Sequence, residues 1–228
     1  MTEPPPIVFK RAAAADPEAF IRCETAIASP PLVPEIRLHL ATEITPIWQA
    51  TEATLAHEGL PPPYWAFAWP GGQALARTIL DDPAIVRGKR VLDFAAGSGL
   101  VAIAAAKAGA QSVTAAEIDD FAAAAIALNA ALNGVHVPVT LEDQVGQAGP
   151  WDLVLAGDVC YERPMAERVT AWLRGLVARG AQVLMGDPGR SYLPKNGLEL
   201  VTRHKVPTSL ELEDRTERET AIWRLLAE

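Results

Sequence analysis

A chain of 228 residues, half of them apolar and 21% charged, has the composition of one folded domain with at most a small extension, not of a low-complexity or collagen-like polymer. Its formal net charge of −8 opposes non-specific nucleic-acid binding and leans toward partners with a basic surface. Two cysteines, Cys23 and Cys160, and four isolated histidines make neither a disulfide framework nor a metal-ligand spacing, so no metal is expected.

No apolar leader follows the first basic residues, and the most apolar region is broken by Lys107 and by glycines. A cytoplasmic, monomeric protein without a membrane span is expected. Met1 to Ala15, with Pro4-Pro5-Pro6 near its start, reads as a mobile arm. Asp16-Pro17 is an N-cap followed by proline at the first helical position, which predicts a helix to about Ala28, stopped by Ser29-Pro30-Pro31. Glu35 to Ala41 alternates Ile36, Leu38 and Leu40 against Arg37 and His39, the period of a half-buried strand. Thr45-Pro46 starts a second helix to about His57, ended by Gly59 and the prolines beyond it. Residues 1–62 are thus an arm and extension, and 63–228 the main domain.

Tyr64, Trp65, Phe67 and Trp69 crowd the next stretch. For Tyr64 and Phe67 the choice between plugging the apolar base of the core and another role is open. Trp69 precedes Pro70-Gly71-Gly72 and a helix from Ala74 to Leu80, on a turn that opens toward the strand ends, where a flat ring can wall a cofactor pocket.

From Arg90 to Asp120 the chain reads as strand, glycine turn, helix and strand, half of a nucleotide-binding unit. Val91, Leu92 and Phe94 are the apolar run of a strand buried on both faces, and Asp93 within it is anomalous. Gly97 and Gly99 let backbone approach a ligand without a Cβ in the way. Leu100 to Lys107 is an alanine-rich helix closed by Gly109, and Val113 to Ala116 is the second strand. Glu117 stands at its carboxyl end, about twenty residues past the glycines, where a ribose-binding acid belongs.

Two ligands compete for this turn. Gly97 to Ala102 formally fits G-x-G-x-x-A, so a dinucleotide and NAD(P)-dependent oxidoreductase chemistry are open. A pyrophosphate on the helix N-terminus would, however, be opposed by Asp93. S-adenosylmethionine, with an ammonium and a sulfonium, suits that acid better. A turn that binds nothing, with Asp93 only capping the next helix, is the bland alternative.

Beyond Glu117, Phe121 to Leu132 is a helix ended by Asn133-Gly134, and Val135 to Leu141 a third strand. Asp143, in the polar Glu142-Asp143-Gln144 just past it, either accepts from an adenine amino group or belongs to a surface turn. Trp151 to Ala156 is a fourth strand running into Gly157-Asp158-Val159-Cys160-Tyr161. Met165 to Ala178 is a helix, Gln182 to Met185 a fifth strand, and Leu198 to Val206 and Thr220 to Leu226 two closing strands. Strands alternating with helices imply an α/β fold, a mostly parallel sheet with helices on both faces. The final pair, with no room for a crossover helix, implies one antiparallel member at the edge.

VLDFAAGSG with AAEID, then GDVCY at the fourth strand and two closing strands, resembles the class I S-adenosylmethionine-dependent methyltransferases. That resemblance implies a Rossmann-like seven-stranded sheet whose last strand is antiparallel, with S-adenosylmethionine as cofactor. PEIRLHLAT, PYWAFAWPGGQALAR, the DxxY element from Asp158 to Tyr161 and GDPGR from Gly186 to Arg190 are similar to the family-16 protein lysine methyltransferases that act on the electron transfer flavoprotein beta subunit. The similarity covers roughly Pro34 to Arg190. One departure is Ala95-Ala96 before Gly97, where the family commonly has a glycine, which displaces the turn slightly.

Ligands of an open parallel sheet sit at the carboxyl ends of strands where the order reverses. Asp93, Gly97, Gly99, Glu117 and Asp158 fall on that rim, and Trp69, Asp143 and Gly157 join them as cofactor contacts. Asp158 is expected to orient a lysine amine and Tyr161 to wall its channel, with capping and plain packing as their alternatives. The beta subunit of electron transfer flavoprotein is then the protein substrate. A ribosomal protein lysine, a small amine, or a cofactor-binding module without catalysis are the rivals.

Overall fold

The computed structural model describes residues 16–42, 62–209 and 213–227. Helix α1 (Pro17–Glu24) begins as expected: the Asp16 carboxylate accepts from the Ala19 amide at 3.0 Å, and Pro17 occupies the first turn. It ends at Glu24, not near Ala28. Thr25 is extended and gives both its N–H and its hydroxyl to the Ile21 carbonyl, which closes the helix. Ala26–Ala28 then forms strand β1, antiparallel to β2 (Leu38–Leu40). Ile36, Leu38 and Leu40 are buried as their alternation predicts. His39, expected on the open side, is buried too, because its backbone N–H reaches the Asn129 side chain at 2.8 Å. The expected arm over Met1 to Ala15 and the helix from Thr45 to His57 lie outside the described residues.

Seven strands form the main sheet: β3 (Arg90–Phe94), β4 (Ser112–Ala116), β5 (Val139–Thr140), β6 (Leu153–Gly157), β7 (Gln182–Asp187), β8 (Leu198–Pro207) and β9 (Glu217–Leu225). Their order is β5-β4-β3-β6-β7-β9-β8, with β9 antiparallel to both its neighbours and the pairs from β5 to β7 parallel. The order reverses between β3 and β6, where a ligand crevice opens. Helices α2 (Pro70–Asp81), α3 (Leu100–Lys107) and α4 (Asp120–Leu132) pack with Val91, Leu153, Leu155 and Leu184 on one face. Helix α5 (Arg163–Val177) covers Leu92, Phe94, Val154 and Met185 on the other. Helices therefore lie on both faces, and no helix among the described residues is long and apolar enough to cross a membrane.

Two further expectations change. The third strand shrinks from Val135–Leu141 to Val139–Thr140, because the Val135 amide closes helix α4 on the Ala130 carbonyl and Pro138 has no N–H to give a ladder. The antiparallel strand is the last in sequence but not at the edge: β9 slots between β7 and β8. Its Ala221, Ile222 and Leu225 are buried. Strand β8, carrying Glu199, Arg203 and Lys205, is mostly exposed, as a charged edge strand tolerates.

Val33, Ile36, Leu38 and Leu40 of the extension belong to the same apolar cluster as α2, α3 and α4. Asn129, fully buried on α4, accepts from the His39 amide and donates to the Ser98 carbonyl, both at 2.8 Å. One side chain thereby ties the extension to the glycine turn.

Candidate active site

At the carboxyl ends of β3, β4 and β6 lies a cavity of about 520 Å³, within the size range of small-molecule clefts. Gly97, Glu117, Asp143, Gly157, Asp158, Tyr161 and Trp69 all line it. A smaller recess of about 40 Å³ shares Trp69, Ala95, Gly97, Gly157 and Asp158 with it and reaches Asp93. Gly99 is the one expected site residue in neither wall. It acts through geometry: at φ 78° it starts α3, and a Cβ there would stand 3.1 Å from two Ile126 side-chain carbons.

The glycine turn is held by acids on both sides. The Glu117 Oε1 accepts from the Gly97 amide at 2.6 Å, and its Oε2 from the Ile118 amide at 3.2 Å. Asp93, 1% exposed, accepts from the Ala102 amide in the first turn of α3 at 2.8 Å. The capping bond is therefore present, while the residue also borders the recess. Burial pushes the Asp93 carboxyl up to about 8, and burial raises Glu117 as well. Ala95, at the start of the turn, takes φ 54°, so the turn is kept at the expense of a left-handed alanine.

Asp143 lines the far end. Its Oδ1 accepts from the Val145 amide at 2.9 Å and its Oδ2 pairs with Arg168 at 2.5 Å, and those contacts lower its pKa, the backbone bond most. It is thus both a turn residue and a wall residue. Trp69 precedes α2 and donates from Nε1 to the Tyr64 carbonyl at 2.8 Å. Tyr64 is 49% exposed and does not plug the core; Trp65, 1% exposed, does that instead, stacked on Phe121. The Tyr64 and Tyr161 rings, both about half exposed, lie tilted against each other in the cavity wall, with centroids 5.9 Å apart.

Asp158 gathers three segments far apart in sequence. It sits at φ 55°, just past β6. Its Oδ2 accepts from the Gly72 amide of α2 at 3.1 Å, and its Oδ1 from Arg190 Nη2 at 3.2 Å. It caps no part of α5, the helix that follows it; that place is held by Glu162, which makes no side-chain cap. Burial, with Asp187 adding to it and Arg190 opposing it, pushes Asp158 up to about 7. The approach of α2 depends on glycines: a Cβ on Gly71 would overlap the Gly186 carbonyl oxygen, and one on Gly186 would overlap the Gly71 carbonyl oxygen. The motifs WPGGQ, GDVCY and GDPGR meet there. Arg190, Tyr64 and Arg168 are wall residues that sequence reasoning did not assign, although GDPGR had marked the first.

Residues 75–160 match the family model described as ribosomal protein L11 methyltransferase (PrmA). The electron transfer flavoprotein beta subunit lysine methyltransferase of Xenopus laevis is 41% identical over 214 residues, 92% of this chain and 85% of that protein. The chain belongs to the electron transfer flavoprotein beta subunit lysine methyltransferase family. The Homo sapiens member is 41% identical over 181 residues, 77% of this chain and 68% of its own. The fold is also that of magnesium protoporphyrin IX methyltransferase from Synechocystis PCC 6803, solved with bound S-adenosylmethionine, at TM-score 0.52 and 18% identity over 69% of this chain and 79% of that one.

As a member of this family the chain is a methyltransferase whose cofactor is S-adenosylmethionine. The cavity fits that cofactor. An acid stands at the end of β4, the turn at Gly97 leaves open space, Ile118 and Val145 offer apolar flanks, and buried carboxyls suit a cationic ligand. Among the described residues no group of three or more His, Cys, Asp or Glu side chains could hold a metal ion.

Proposed function

We propose that this chain is a protein-lysine N-methyltransferase acting on lysine side chains of the electron transfer flavoprotein beta subunit. The observation that carries the reading is the 41% identity to a family member so named, over 92% of this chain. The site chemistry supports it. Glu117 receives the ribose hydroxyls, Asp143 the adenine amino group, and the Gly97 turn with Asp93 the cationic amino-acid end, while Trp69 and Gly157 wall the cofactor. Gly99 shapes the turn.

The bound cofactor supplies a methyl group on a positively charged sulfur. Lysine must meet it as a free amine, yet with a reference pKa near 10.4 only about one molecule in 2,500 is neutral at pH 7, a cost of about 4.6 kcal/mol. Glu117, Asp143 and the Gly97 turn would hold the cofactor so that it presents that methyl group to the free amine nitrogen, the sulfur keeping the electron pair as the neutral leaving group. Before that, the lysine ammonium sheds one proton to water. Asp158 accepts a hydrogen bond from the amine and turns its lone pair toward the methyl group. Tyr161 and Tyr64 together line one side of the aliphatic stem and exclude water, which favours the neutral amine.

The test is methylation of the purified beta subunit with labelled S-adenosylmethionine, beside ribosomal protein L11 and free lysine as competitors for the label. Label confined to lysines of the beta subunit is expected. Preferential labelling of L11, or faster turnover of the free amino acid, would overturn the assignment of substrate.

A further inference from the structure

Glu213 stands on the connection between β8 and β9, outside the cavity wall, yet its side chain is only 1% exposed. Its two oxygens take both arms of Arg190, Oε1 to Nη2 at 2.5 Å and Oε2 to Nη1 at 3.2 Å. From the other side Arg218 reaches it, Nε to Oε2 at 3.0 Å. Arg190 touches Asp158 with the same Nη2, at the longer distance of 3.2 Å. One guanidinium nitrogen is thus shared by two carboxylates, and the closer one is not the one in the active site. A cation beside a carboxylate neutralises it in proportion to its proximity. Arg190 held fully on Asp158 would occupy the Oδ1 that a lysine amine needs.

We propose that Glu213 is a positioning residue for methyl transfer, which draws Arg190 toward itself and so keeps it from closing over Asp158 Oδ1, the oxygen offered to the substrate amine. The inference rests on the role given to Asp158 above. The groups that face Asp158 are the Gly72 amide from α2, Asp187 from β7, Cys160 beside it, and Arg190 with Glu213 behind it. Burial holds the Asp158 proton against the pull of Arg190. With Glu213 neutral, the charge of Arg190 falls on Asp158 alone and its pKa drops. With Arg218 removed, Glu213 commits more fully to Arg190 and the Asp158 pKa rises. A residue that merely clamps the β8–β9 connection predicts no such opposed pair.

The experiment titrates the whole protein labelled with 13C at the aspartate carboxyls, the Asp158 resonance being identified by its loss in Asp158→Asn. Glu213→Gln is expected to lower the Asp158 midpoint by half a pH unit or more, and Arg218→Gln to raise it. Glu213→Asp, which keeps the charge, is expected to restore most of the shift. In parallel, Glu213→Gln should lower kcat/KM for the beta subunit about tenfold while the S-adenosylmethionine Kd stays within twofold. Midpoints that stay put, or move in the same direction in both variants, overturn the proposal. If Glu213→Gln does not fold, the sign of the Arg218→Gln shift decides. Full turnover in Asp158→Asn would instead overturn the role of Asp158, and absent beta-subunit methylation the substrate, both independently of the titration.

Discussion

The carboxylate of Glu117 accepts a hydrogen bond of 2.6 Å from the amide of Gly97, so the acid at the end of β4 also braces the turn at the end of β3. Its function and its structural duty are separable. Glu117→Gln keeps an oxygen for Gly97 but loses the charge, whereas Glu117→Ala loses both. The alanine variant should bind S-adenosylmethionine about 1.5 to 3 kcal/mol more weakly, as expected for hydrogen bonds to a charged acceptor. The glutamine variant should retain the melting temperature and lose less affinity. Calorimetric titration of the two variants checks this, and equal affinity in both and in the parent would remove Glu117 from the ribose.

Proton release should accompany cofactor binding. Asp93 and Asp158 are pushed up to about 8 and about 7, so in the ligand-free protein they keep protons that the unfolded chain has shed above about pH 4. The fold then binds more protons than the unfolded chain, and its stability falls as pH rises from about 4 toward 8. A cationic ligand favours the ionised carboxyls. S-adenosylmethionine binding at pH 7 should therefore release protons, and more of them than S-adenosylhomocysteine, which lacks the sulfonium. Calorimetry in two buffers of different ionisation enthalpy measures the count; proton uptake would contradict it.

Ala95 at φ 54° carries a penalty of about 1 to 2 kcal/mol that glycine would not. Glycine gives some of this back through a freer unfolded chain, about 0.4 to 1 kcal/mol. Ala95→Gly should stabilise the protein by about 0.5 to 1 kcal/mol in urea denaturation, with cofactor affinity preserved. A destabilised variant would mean that the alanine methyl packs usefully in the wall.

Adjacent glycines should behave oppositely. Gly71→Ala drives a methyl into the Gly186 carbonyl, backbone that cannot step aside, and should cost about 3 kcal/mol or more together with cofactor binding. A Cβ on Gly72 meets only Val101, at 3.9 Å, and alanine there is the better helix former. Gly72→Ala should be neutral or stabilising in the same denaturation measurement.

The strand, turn and helix from Arg90 to Lys107 were legible because their signals are local: a short apolar run, two glycines, then alanines. Glu117 and Asp158 were legible for the same reason, each standing where a strand ends. What Asp158 touches was not. Gly72 and Arg190 lie 86 and 32 residues away, and no spacing in a chain encodes a contact made across a sheet. Pro138 could have shortened the third strand on paper, since it lacks the N–H a ladder needs. The inner place of β9 was written in Ala221 and Ile222 against the charges of β8, a contrast between two strands and not a feature of either.

Asn129 holds the His39 amide with one end of its side chain and the Ser98 carbonyl with the other. The His39 amide thereby becomes a reporter for the glycine turn, although it belongs to a different sheet. If a ligand tightens the turn, the deuterium exchange of that amide should slow in step with occupancy. The N-terminal strand pair would then give a readout of cofactor binding at a distance from the cofactor itself.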